Sequence, residues 1–133
     1  MAVKFILIMR KIPKDVLEEY LSTSFSKECC FCGNKIPQLH HNLIYGGRQV
    51  NEVWTFLPLC KKCHDSVNHI NVRRLADWCM LNRGTDEELQ KYSKVMDYKA
   101  KRKWLNILFG EYSPRKLKEH YANNYHHHKT NIH

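Results

Sequence analysis

Residues 29–41 read CCFCGNKIPQLHH and residues 55–65 read TFLPLCKKCHD, and these two stretches decide the fold. Each carries a Cys-x-x-Cys knuckle, Cys29/Cys32 and Cys60/Cys63; His40-His41 lies between the knuckles and His64 follows the second directly. Each knuckle presents two sulfurs from one tight turn, so two knuckles supply the four thiolates of a tetrahedral zinc shell. A zinc ion held that way has no open position for chemistry. The histidines are therefore spare, and a zinc-stapled hairpin holds them close together.

The surrounding chain fits a single small domain. It has 133 residues, 43% hydrophobic content and a formal charge of +9. A chain of this size has little interior, so a metal staple contributes substantially to folding. The longest early apolar run, Phe5 to Met9, is too short for a signal segment or a membrane span. The reading is a reducing cytoplasm, in which knuckles hold metal rather than disulfides, with no membrane and no small-molecule cofactor expected.

The charge is uneven. Lys91, Lys94, Lys99, Lys101, Arg102, Lys103, Arg115, Lys116 and Lys118 face only Asp97 and Glu111 over the same stretch. Such a tract releases counterions when it meets phosphates, which makes nucleic acid the expected partner. The bland reading is a solvated helix face.

The periodicities predict an α+β order. A strand is expected within 2–11, and a short helix after Pro13, with Val16, Leu17, Tyr20 and Leu21 on one face, should pack beneath the zinc site. Residues 53–57 are β-prone, and a helix starting at the second knuckle carries His64. Asn71 is expected to cap a helix ending near Gly84, with Leu75, Trp78, Cys79 and Leu81 as its apolar stripe. Thr85 with Glu88 marks the start of a longer helix bearing Leu89, Tyr92, Met96, Trp104, Leu105 and Leu108 and stopping at Gly110. A basic helix opens at Ser113-Pro114, and a disordered tail begins at His126. The division is residues 1–28 as an N-terminal strand and helix, 29–70 as a zinc-stapled core, 71–125 as a basic helical extension and 126–133 as a tail.

Taken together, Leu39-His40-His41, Thr55-Phe56-Leu57-Pro58-Leu59 and Cys60-Lys61-Lys62-Cys63-His64-Asp65 resemble the HNH endonucleases of the ββα-metal (His-Me finger) superfamily. The resemblance covers roughly Cys29 to His69. It implies a small zinc-stapled ββα-metal core and hydrolysis of DNA phosphodiester bonds to a 5′ phosphate and a 3′ hydroxyl. It makes His40 and His64 ligands of a catalytic Mg²⁺ or other divalent metal, and His41 the general base. Neutral imidazole suits the base role because it titrates near neutrality. By analogy with the family the chain would be of phage, homing or restriction type, acting in the cytoplasm of its cell or of a host.

Two positions depart from the family pattern. Thr55 stands where the middle asparagine normally precedes the Pro-Leu-Cys turn, with Asn51 nearby. The third catalytic-metal ligand falls on Asn68 or water in preference to His69, because Asn68 would share a helical face with His64. Lys101, Arg102, Lys103, Arg48, Lys61 and Lys62 are the expected DNA contacts. Cys30, Cys79 and the three tryptophans are expected in the core, and His126-His127-His128 is an adventitious metal binder at most. The rival reading is a non-catalytic zinc-ribbon DNA-binding module, which Thr55 favours and the retained histidines oppose. Neither reading fixes the oligomeric state.

Overall fold

The computed structural model describes residues 12–110. The strand expected within 2–11, the basic helix at 113 and the tail from 126 lie outside the described residues. What is described is mixed: five helices, two single turns of 3-10 helix and two small antiparallel pairs of strands.

A ribbon of two strands organises the molecule. Strand β1 (Gln38–His41) runs antiparallel to β4 (Phe56–Leu59), pairing His40 with Leu57 and His41 with Phe56. Between them, β2 (Ile44–Tyr45) and β3 (Arg48–Gln49) form a minor hairpin turning on Gly46-Gly47, both at positive φ. Residues 53–55, expected as part of the strand, instead make one turn of 3-10 helix. Thr55 N donates to Glu52 O there, so pairing with β1 starts only at Phe56.

Side chains alternate along a strand, and β4 is buried on both faces. Phe56 points into a cluster with Ile12, Leu17 and Tyr20; Leu57 and Leu59 point into the main core. Helix α1 (Lys14–Ser22), starting after Pro13 as expected, covers the first face. Its neighbours are Phe56, Leu39 and Val53, so it packs under the ribbon rather than beneath the cysteines. Leu21, expected on its apolar face, is exposed.

Helix α2 (Lys61–Asp65) follows the second knuckle, and α3 (Ile70–Leu81) crosses the other face of the ribbon. The stripe Leu75, Trp78, Cys79 and Leu81 is buried as predicted. The cap differs: His69 is the N-cap and its Nδ1 accepts from Asn71 N, so Asn71 lies inside the helix.

The single longer helix expected after Thr85 is two. The capping box of Thr85 and Glu88 is present and opens α4 (Asp86–Lys91); α5 (Tyr98–Phe109) starts after Asp97, whose carboxylate accepts from Ala100 N. Leu89 and Leu105 are both fully buried. Sixteen residues apart on one continuous helix they would point about 160° away from each other at ~100° per residue. The break at 92–97 lets both reach the core. Met96, Trp104 and Leu108, expected to be apolar packing positions, are exposed. One core cluster runs from Cys29 through Leu57 and Leu75 to Phe109, so residues 29–70 and the helices after them share an interior. Among the described residues no helix is long and apolar enough to cross a membrane.

Candidate metal centre and histidine cleft

The two knuckles meet. Cys29 N donates to Asn34 O and Gly33 N to Cys29 O, both at 2.8 Å, closing the first turn on a glycine with φ +81°. Cys60 precedes α2, whose first turn is closed by His64 N donating to Cys60 O at 2.8 Å. Cys30 N donates to Pro58 O at 2.9 Å, which fastens the first knuckle to the strand leading into the second. The Sγ atoms of Cys29, Cys32, Cys60 and Cys63 all lie within 4.8 Å of one another, and Cys32 and Cys60 are 3.6 Å apart. Sulfurs at ~2.3 Å from a tetrahedral ion stand about 3.8 Å apart, so this cluster can hold a metal ion such as zinc.

Thiol chemistry agrees. A hydrogen bond with Cys63 lowers Cys29 to about 4 against the opposing effect of burial, and the same contact pushes Cys63 upward. Cys30 is different: its hydrogen bond to Cys79 and burial raise it; it packs, partly buried, against the core that holds Cys79.

His40 and His64 face each other edge to face, ring centroids 5.0 Å apart. His40 Nε2 donates to Asn42 Oδ1 at 3.1 Å. Asn42 Nδ2 donates to Asp77 Oδ1 at 3.0 Å, and Lys101 Nζ donates to Asp77 Oδ2 at 2.8 Å. Burial lowers His40 to about 4, reinforced by the charge of His64 and opposed by the bond to Asn42. It is therefore neutral near pH 7, the form that ligates a cation.

The His41 ring stands 5.2 Å from that of Phe56, and its Nε2 donates to Asn51 Oδ1 at 3.2 Å. Thr55, fully buried, holds this arrangement from below. Its Oγ1 reaches Val50 O at 3.0 Å and Glu52 O at 2.7 Å, and its carbonyl accepts from Asn42 N. One hydroxyl hydrogen shared between two carbonyls secures the residues on both sides of Asn51.

A cleft of about 350 Å³ is lined by both His40 and His41, with Asn42, Asn68, Arg73, Asp77 and Lys101 on its walls. Helix α2 ends at Asp65, so Asn68 sits in the turns beyond it and the helical-face argument for it does not apply; it lines the cleft all the same. His69 is engaged as the cap of α3.

The basic residues expected on DNA separate. Lys101 lines the cleft; Arg102 turns the other way and bonds Gly84 O at 3.1 Å and Asp86; Lys103 is exposed. Arg48, Lys61 and Lys62 are exposed, Lys61 and Lys62 beside the cysteine cluster. Trp54 and Trp78 are buried as expected, while Trp104 is half exposed under the guanidinium of Arg74. Sequence reasoning missed Asn42, Arg73 and Asp77. Asn42 follows His40 at the strand spacing of two and was findable; Arg73 and Asp77 share a face of α3 at i and i+4, but nothing local connects that face to β1.

Comparison of the chain with protein-family models, with curated proteins and with solved structures returned no match.

Proposed function

We propose that this protein is a metal-dependent HNH endonuclease that hydrolyses DNA phosphodiester bonds. The observation that carries the reading is the meeting of His40 and His64 at 5.0 Å beside a cleft that His41 also lines, next to a four-cysteine cluster. Zinc in that cluster is structural, a staple for the two knuckles. Two imidazoles, one of them neutral by burial, are a donor set that suits a divalent cation, with Asn68 available from the cleft wall. Mg²⁺ or another divalent ion held there would supply Lewis acidity at a phosphate oxygen and at the leaving 3′ oxygen.

The chain's own residues do the rest. Asn51 holds the His41 ring through Nε2. As general base, His41 takes the proton of a water whose oxygen attacks phosphorus. The P–O3′ bond breaks, the 3′ oxygen takes a proton from solvent, and a 5′ phosphate and 3′ hydroxyl result. Arg73 places positive charge on the cleft wall, where a phosphate would enter, while Lys101 is paired there with Asp77. Exposed Lys103, Arg48, Lys61 and Lys62 are offered as backbone contacts that carry no sequence information.

A second reading, a zinc-ribbon DNA-binding module without catalysis, is favoured by one observation. Among the described residues the four cysteines are the one group of three or more Cys, His, Asp or Glu close enough to share an ion. A supercoiled-plasmid assay with and without Mg²⁺ or Mn²⁺ separates the two. Nicking or linearisation that needs the cation and disappears in His41→Ala supports the nuclease; binding without cleavage supports the module.

A further inference from the structure

An unbroken hydrogen-bonded chain crosses three elements: Lys101 on α5, Asp77 on α3, Asn42 just past β1 and His40 on β1. Its links are 2.8, 3.0 and 3.1 Å long. The charged pair at its far end is largely enclosed, with Asp77 18% and Lys101 25% exposed. Leu43, Met80 and Leu81 beside it are buried, Arg73 and Tyr98 share its cleft, and Met80 Sδ takes a second contact from Asn42 Nδ2. An enclosed ion pair rarely stabilises a fold more than apolar side chains of the same size would. Fully bonded polar networks do, however, fix geometry.

The direction of each bond is set by chemistry. Asp77 can only accept, so Asn42 must turn its Nδ2 toward it; Asn42 Oδ1 then faces His40 and can only accept from Nε2. Lys101 donates to the second oxygen of Asp77 and holds the carboxylate in place. The tautomer of His40 is thereby dictated from a residue 61 positions away in sequence.

We propose that Lys101, Asp77 and Asn42 are positioning residues that lock His40 as its Nε2–H tautomer and leave Nδ1 as the ligating nitrogen for a divalent cation. This rests on the reading of His40 as a cation ligand. It adds a role for the helices after residue 70, which set cation affinity from outside the ribbon. Outer partners of ligating histidines commonly change affinity 10–100-fold when removed.

The test reads the tautomer directly. Two-bond ¹H–¹⁵N spectra of the ¹⁵N-labelled, zinc-loaded full chain identify which ring nitrogen carries the hydrogen, with His40→Gln assigning the signal. Wild type should show His40 as Nε2–H alone. Asp77→Ala should show a mixture of tautomers and bind Mn²⁺ about 10–100-fold more weakly, whereas Asp77→Asn, whose oxygen can still accept from Asn42, should keep the wild-type tautomer. Zinc content and the unfolding temperature report whether each variant is folded. If Asp77→Ala does not fold, Lys101→Met removes the outer charge at a partly exposed position and should still weaken Mn²⁺ binding several-fold. An Nδ1–H wild type overturns the proposal, as does a wild type that binds no Mn²⁺ or a set of variants with unchanged Mn²⁺ affinity. A wild type that is Nε2–H, binds Mn²⁺ and nicks no plasmid would end the nuclease reading and leave this proposal standing.

Discussion

Thr55 Oγ1 lies 2.7 Å from the carbonyl of Glu52, and through that contact a buried side chain with no access to the cleft governs the loop that supports His41. Thr55→Val keeps the shape and removes the hydrogen that Val50 O and Glu52 O share. Val50 O then loses its donor while Glu52 O keeps Thr55 N; a buried acceptor left unsatisfied costs roughly 1–3 kcal/mol, so the free energy of unfolding should fall by that much. Plasmid cleavage should fall further than the stability loss explains, because Asn51 loses its anchor. A stable variant with full activity would show that the loop orders itself without Thr55.

Removal of a zinc ligand should be far more severe. Cys29→Ser or Cys60→Ser leaves a shell of three at the junction of both knuckles, and structural zinc contributes on the order of 10 kcal/mol to small domains. The expected result is one zinc per wild-type chain by elemental analysis, and aggregated or unfolded variants by circular dichroism. Well-folded protein free of zinc would contradict it.

For the base, His41→Ala should lower the cleavage rate by about 10²–10⁴ while zinc content and DNA affinity stay near wild type. Asn51→Ala should fall between the two, since the ring survives and one of its partners is lost. Equal rates for His41→Ala and wild type would move the base elsewhere.

Acid should act through His40. Burial holds its folded pKa near 4, below the unfolded value near 6.5. Between those values the unfolded chain takes up a proton that the folded one refuses, so stability is lost as pH falls from about 6.5 toward 4. His40→Gln lacks this contribution. Unfolding curves of the two proteins at pH 7, 6, 5 and 4 should therefore converge or cross as the wild type weakens, and parallel curves would place the acid sensitivity elsewhere.

Along α5, three consecutive basic residues should give three different results. Lys103→Gln should leave the unfolding temperature unchanged and reduce the salt slope of DNA binding by about 0.9 if it meets one phosphate. Arg102→Gln should lower the unfolding temperature, because Gly84 O loses its donor. Lys101→Gln should change cation dependence. Identical phenotypes would mean that the helix acts only as a charge reservoir.

What could be read ahead of the coordinates was what chemistry writes locally. The knuckles, the strand ahead of the second one, the Thr85–Glu88 capping box and the stripe from Leu75 to Leu81 are short-range patterns with direct physical causes. The break at 92–97 was hidden because Tyr92 and Met96 mimic a continuing stripe. Its cause lies elsewhere in the chain, in the need of Leu89 and Leu105 for the same core, and in Glu52 accepting from Tyr92 Oη. The link from Asn42 to Asp77 spans 35 residues and the next, to Lys101, spans 24. No local signal marks such contacts, which is why charge alone assigned Lys101, Arg102 and Lys103 to one surface.

Because Leu57 and Leu59 are covered by the helices that follow, the segment carrying the cysteines and the three histidines is not a transferable cassette. Grafted alone onto another protein, residues 29–70 would carry an open apolar wall and would need a host surface shaped like α3 and α5 to close it. Hybrids built from this segment should therefore cut the chain after Phe109 rather than before Ile70.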